Sequence, residues 1–125
     1  MNNTINALLV EDNTVAQLAA KGILKKKNIT ATVASTGKEG IEIAKNKKFD
    51  FILMDVGLEP GTDGIMVIKE IQTNSLNKDT PIIFLTSNSA ETYQDRLNDI
   101  KFIKYIVKPM NDKQLEEILA IINNK

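Results

Sequence analysis

Short apolar runs alternate with helix-period stripes along the whole chain, and that alternation limits the fold more tightly than any bulk property. Ile5 to Val10 is the first run, and Asn13 or Thr14 stands where a cap is needed for a helix reaching about Lys27. The phase of that helix is ambiguous, because Val15, Ala16, Leu18, Ala19, Ala20 and Ile23 are apolar nearly all round. Thr30 to Ala34, with its β-branched residues, predicts a second strand broken by Ser35-Thr36-Gly37. Gly40, Ile41 and Ala44 predict the inner face of a helix ending near Asn46-Lys47-Lys48, whose lysines suit the negative end of a helix dipole. Phe51 to Met54 is the third strand. Gly57 to Gly64 is the most turn-rich segment, with Asp63 placed to cap a helix built on Ile65, Ile68 and Ile71. A polar loop from Thr73 to Thr80, then Pro81, leads to a fourth strand, Ile82 to Leu85. Ala90, Tyr93, Leu97 and Ile100 recur at spacings of three, four and three, which is one helix face. Phe102 to Val107 predicts the fifth strand, and Leu115, Ile118, Leu119 and Ile122 the stripe of a last helix.

Strands that alternate with helices form a parallel sheet covered on both faces, joined by right-handed crossovers. The expected fold class is therefore α/β, a (βα)5 doubly wound five-stranded parallel sheet. The order 2-1-3-4-5 is one common solution. A length of 125 residues predicts one domain over 1–125. Sixteen basic and sixteen acidic residues cancel, so neither nucleic acid nor a membrane surface is expected as the main partner. No apolar stretch approaches the ~20 residues that span a bilayer, and no basic segment precedes an apolar run at the N-terminus. The expected location is the cytoplasm. The chain has no Cys and no His. Thiolate chemistry, a disulfide framework, the usual zinc ligands and the usual general base are all excluded.

Polar residues follow the apolar runs at the edge where open parallel sheets bind ligands. Leu8-Leu9-Val10 leads into Glu11-Asp12, the third strand into Asp55, the fourth into Thr86, and Tyr105-Ile106-Val107 into Lys108-Pro109. Singly, each is ordinary: an acidic pair caps a helix, a threonine caps a helix, a lysine is solvated. Together they make a pocket. Three carboxylates at one edge repel one another unless a cation intervenes. Oxygen donors without His or Cys favour Mg²⁺ over zinc or copper. Lys108 adds a second positive charge and Thr86 a hydroxyl, a set suited to the spread negative charge of a transferring phosphoryl group. A carboxylate can itself be the nucleophile and become an aspartyl phosphate.

Leu-Val-Glu-Asp-Asn at 9–13, Leu-Met-Asp at 53–55, Asp-Gly at 63–64, Leu-Thr-Ser at 85–87 and Tyr-Ile-Val-Lys-Pro at 105–109 resemble, jointly and in their spacing, the receiver domain of two-component response regulators. The resemblance covers essentially the whole chain and implies a flavodoxin-like fold. It implies that Asp55 is the phosphoacceptor, and that Glu11, Asp12, Asp55 and the backbone carbonyl of Gly57 hold Mg²⁺. It further implies that Thr86 and Lys108 contact the phosphoryl group and that Tyr105 is the switch aromatic, turned inward when Thr86 is drawn toward phosphate. Lys108-Pro109 is a bond usually cis in this family, and proline lowers the trans preference to ~0.5–1 kcal/mol. Without histidine the chain receives its phosphoryl group from elsewhere, so the implied partner is a histidine kinase or a histidine phosphotransfer protein. A downstream target is implied on the face of the fourth helix, fifth strand and fifth helix. The implied role is a signalling module with slow autodephosphorylation rather than an enzyme. Only Asn123-Asn124-Lys125 follow the last helix, which predicts a single-domain regulator or the receiver of a larger protein such as a hybrid kinase.

Some positions depart from the family pattern. Pro60 lies five residues after Asp55, and Asp63-Gly64 eight and nine, where four, seven and eight are common. The loop is therefore expected to be one residue longer over the pocket rim. Gly57 offers no side chain to an attacking water, whereas Asn88 offers an amide. Lys101 stands where glycine is frequent. Among alternatives, a haloacid-dehalogenase-like phosphatase also uses a strand-end aspartate, but carries a second Asp two residues after its nucleophile; here that position after Asp12 is Thr14. A phosphorylation-independent scaffold is disfavoured by the complete pocket, and a flavodoxin-like cofactor binder by the lack of a phosphate loop after the first strand.

Overall fold

The structure is a computed structural model that describes residues 4–56, 64–86 and 100–123. Strands β1 (Ile5–Val10), β2 (Ile29–Ala34), β3 (Phe51–Asp55), β4 (Ile82–Thr86) and β5 (Lys104–Val107) form one parallel sheet in the order β2-β1-β3-β4-β5. Helices α1 (Thr14–Lys26), α2 (Gly37–Asn46), α3 (Gly64–Asn74) and α4 (Asp112–Asn123) connect or follow them. The predicted helix on Ala90, Tyr93 and Leu97 lies outside the described residues; Ile100 is buried. The fold is the doubly wound α/β arrangement that the alternation predicts, with the flavodoxin-like strand order that the resemblance implies.

Strand pleating divides the core in two. Leu8, Val10, Ile52, Met54 and Phe84 face α2 and α3, packing with Ala44, Ile65, Ile68 and Ile71. Ala7, Leu9, Phe51, Leu53, Ile83 and Ile106 face α1 and α4, packing with Ala20, Leu24, Leu115 and Ile118. Both faces are covered, so β3 and β4 are buried at every residue. The phase of α1 is settled by this contact. Ala20 and Leu24 turn inward, while Val15 and Leu18 are 75% and 63% exposed. Asn13 rather than Thr14 caps it, its Oδ1 accepting from the Ala16 amide at 2.9 Å. Asn28, at φ 61°, ends the α1 turn in the left-handed region that asparagine tolerates.

Several predicted boundaries move, β3 and β4 each running one residue further, to Asp55 and Thr86. β2 begins one residue earlier than expected, at Ile29, which pairs with Ile5. The helix after the turn-rich segment runs to Asn74, so the polar loop starts later than Thr73. β5 begins at Lys104 rather than Phe102. Phe102 packs edge-on against Phe84, with centroids 5.4 Å apart, and the ladder with β4 starts at the pairing of Ile83 with Lys104. No described helix is long and apolar enough to cross a membrane.

Candidate functional site

The carboxyl ends of β1, β3, β4 and β5 are adjacent, and each presents one of the strand-end residues. Glu11 follows β1, Asp55 ends β3, Thr86 ends β4 and Lys108 follows β5. Asp55 and Thr86 are the last strand residues rather than the first loop residues. That placement explains their burial, to 3% and 1% exposure, since neighbouring strands flank both. Glu11 is buried as well, and its amide still donates to the Ala34 carbonyl at 3.0 Å. Asp12 is exposed at the rim.

Carboxylate oxygens of Glu11, Asp12 and Asp55 all lie within 4.8 Å of one another. Lys108 Nζ bridges two of them, donating to Glu11 Oε1 at 2.8 Å and lying 3.2 Å from Asp55 Oδ2. Lys108 is itself tied to β4, its amide donating to the Thr86 carbonyl at 2.7 Å, and its bond to Pro109 is cis. Burial pushes the Glu11 carboxyl above the ordinary glutamate range. Its hydrogen bond from Lys108 opposes that rise, and Asp55 adds to it. Burial alone would lower the Lys108 ammonium, but its hydrogen bond to Glu11 and the charges of Asp55 and Glu11 outweigh that and hold it above the usual lysine value.

Among the described residues, three carboxylates meet one ammonium, so this partly buried cluster carries an excess of negative charge. Every donor is a hard oxygen, and the chain has no His or Cys to offer a softer ion. Glu11, Asp12 and Asp55 therefore fit a small divalent cation such as Mg²⁺, which binds through one or two carboxylates and keeps waters for other ligands.

Two glycines let the surrounding backbone close on this edge. Gly64 donates its amide to Val56 O at 2.9 Å, and a Cβ on it would collide with the Asp55 carbonyl. The start of α3 is thereby pressed against the peptide that carries Asp55. At Gly40 a Cβ would sit 2.8 Å from Val10 Cγ2, so α2 packs closely on the end of β1.

The structure thus brings Glu11, Asp12, Asp55 and Lys108 together and sets Thr86 on the strand beside Asp55. Tyr105 pairs with Phe84 in the β4–β5 register and is half-buried against the same side of the core. Pleating puts it on the sheet face that Thr86 shares with Phe84. Gly57, Glu59, Pro60, Asp63, Ser87 and Asn88 lie outside the described residues. Gln17 escaped sequence reasoning. Its Nε2 donates to the Glu11 carbonyl at 2.6 Å and to Ser35 Oγ at 3.1 Å. The one signal available was its place in the second turn of α1, six residues after Glu11.

Over residues 7–120 the chain matches the response regulator receiver domain family. Response regulator mcs4 of Schizosaccharomyces pombe is 40% identical over 102 residues, which are 78% of this chain and 19% of that protein. The receiver domain of sensor histidine kinase PA1611 from Pseudomonas aeruginosa PAO1, solved with a magnesium ion coordinated in its active-site cleft, superposes with a TM-score of 0.87. It is 28% identical, and the match covers 98% of this chain and 100% of that one. A response regulator from Burkholderia pseudomallei, solved with a phosphorylated aspartic acid, calcium ion and citrate, gives a TM-score of 0.77 at 28% identity, covering 94% and 66% of the two chains. The chain spans between 7% and 19% of the length of the first curated relatives it matches.

Proposed function

The chain belongs to the response regulator receiver domain family, and from that premise we propose that it accepts a phosphoryl group on the carboxylate of Asp55. The observation that carries this assignment is the convergence of Glu11, Asp12 and Asp55 within 4.8 Å, with Lys108 3.2 Å from Asp55. The donor is a phosphohistidine on a partner histidine kinase or histidine phosphotransfer protein. An Asp55 oxygen attacks phosphorus, the new O–P bond forms as the P–N bond breaks, and the electron pair returns to the imidazole nitrogen. The product is an acyl phosphate.

Mg²⁺, when bound by Glu11, Asp12 and Asp55 with the Gly57 carbonyl that family resemblance adds, supplies positive charge against the phosphoryl oxygens. Lys108 supplies the second charge, and burial at the strand ends strengthens it. Thr86, at the end of the strand beside Asp55, donates its hydroxyl to a phosphoryl oxygen. Tyr105, on the same sheet face, takes up the space that the movement of Thr86 opens. That change biases the surface around β5 and α4 toward a downstream protein. The role is that of a cytoplasmic signalling module acting as one unit over 1–125, with slow loss of its own phosphate.

The test is incubation with Mg²⁺ and acetyl phosphate, followed by intact-mass spectrometry. Wild type should gain one phosphoryl group, and Asp55→Asn none. Wild type that stays unmodified with acetyl phosphate and with a panel of histidine kinases would refute the assignment.

A further inference from the structure

We propose that Gln17 is a positioning residue of the metal site, setting cation affinity by holding the peptide that joins Glu11 to Asp12. The inference rests on the metal-binding assignment above. β1 ends at Val10, and the Glu11 amide makes the last bond toward β2 through the Ala34 carbonyl. The Glu11 carbonyl turns away from that ladder and accepts from Gln17 Nε2 at 2.6 Å. That carbonyl belongs to the peptide plane between the two acidic residues, so its orientation directs both side chains.

Glu11 has other restraints, since its carboxylate accepts from Lys108 Nζ and from the Asn13 amide. Asp12 does not: among the described residues its exposed carboxylate has no hydrogen bond or ion pair. Its position follows from its backbone, which Gln17 holds on the Glu11 side and the Glu11 carboxylate holds on the other through the Asn13 amide. Gln17 is anchored in turn. The same nitrogen donates to Ser35 Oγ at 3.1 Å, the Ser35 amide donates to Glu39 Oε1 at 2.7 Å, and the Glu39 amide donates to Thr36 Oγ1 at 3.0 Å. One side chain therefore ties the β1–α1 turn to the capped start of α2. Supporting hydrogen bonds of this kind orient the groups that ligate a metal.

The test measures Mn²⁺ binding by electron paramagnetic resonance on wild type and Gln17→Met, which keeps the length of the side chain and removes the donor. Loss of one such hydrogen bond should weaken Mn²⁺ binding roughly three- to tenfold. In acetyl phosphate reactions the Mg²⁺ concentration for half-maximal rate should rise by the same factor, while the rate at saturating Mg²⁺ stays unchanged. A residue that merely stabilised the fold would lower the melting temperature and leave the metal affinity of the folded protein in place. That result overturns the inference. Gln17→Asn, whose amide is one methylene short of the carbonyl, gives the same comparison if Gln17→Met does not fold. Wild type that binds no Mn²⁺ overturns the metal assignment itself, whereas equal binding by wild type and variant overturns only the role of Gln17.

Discussion

At the amino edge of the sheet Asn77 is wholly buried and its side chain is fully paired, whereas at the carboxyl edge Glu11 and Asp55 lie buried side by side with one lysine between them. The Asn77 amide donates to the Ala44 and Lys47 carbonyls, both at 2.8 Å. Its Oδ1 accepts from the Phe49 amide and from Thr80 Oγ1, also at 2.8 Å. Two donors and two acceptor sites are thereby all used. This neutral plug ties the segment before β3 to the segment before β4 and leaves no demand for a ligand. The carboxyl edge carries comparable burial with, among the described residues, three carboxylates to one ammonium. The difference teaches that buried polar atoms mark a site when their charges, rather than their hydrogen bonds, are out of balance.

Substitutions at the two edges should therefore differ in their response to metal, and for one carboxylate in sign. Asn77→Leu has the largest expected effect. It strands the Phe49 amide and two carbonyls, and urea unfolding should show a loss of about 2–4 kcal/mol. Mg²⁺ should not narrow that gap to wild type; a loss below about 1 kcal/mol would show that water replaces the lost partners. Lys108→Ala comes next. Without metal it leaves Glu11 and Asp55 facing each other, and stability should fall by about 2 kcal/mol, less than for a fully buried pair because Lys108 is partly exposed. Here Mg²⁺ should recover most of the loss, which thermal unfolding with and without the ion would reveal. The smallest effect has the opposite sign. Asp55→Asn relieves repulsion from both Glu11 and Asp12, each about 1 kcal/mol at 4 Å even in a water-like medium, against the loss of one attraction to Lys108. In the presence of a chelator the variant should be more stable than wild type by about that amount, and Mg²⁺ should stabilise it less. If Asp55→Asn were instead destabilising under chelation, the carboxyl edge would be as self-sufficient as the amino edge, and the contrast would fail.

Hydrophobic periodicity was a reliable guide where burial is two-sided. Phe51 to Met54 and Ile82 to Leu85 are short continuous apolar runs, and both became central strands. It was silent on α1, where six apolar residues leave the phase open until the sheet selects Ala20 and Leu24. It overran at Phe102 and Ile103, which are as apolar as a strand, although the β4–β5 ladder begins only at Lys104. The strand-end residues of the site were legible because each follows an apolar run. Gln17 and Asn77 were not. A glutamine on a helix and an asparagine in a polar loop are ordinary in sequence, and each acquires its role from carbonyls that the fold brings to it.

By itself the sequence determined the kinds of element, their alternation and hence a parallel sheet, together with a charge inventory that lacks His and Cys. Those properties are local or additive, and the chain carries them whatever its tertiary arrangement. Only the tertiary structure decided which charges meet. Glu11 and Lys108 are 97 residues apart in sequence, yet their side chains are 2.8 Å apart. Electrostatic interaction depends on separation in space and on exclusion of water. Both are set by strand order and by helix packing on the sheet, so the same residues at strand ends that did not adjoin would make no site.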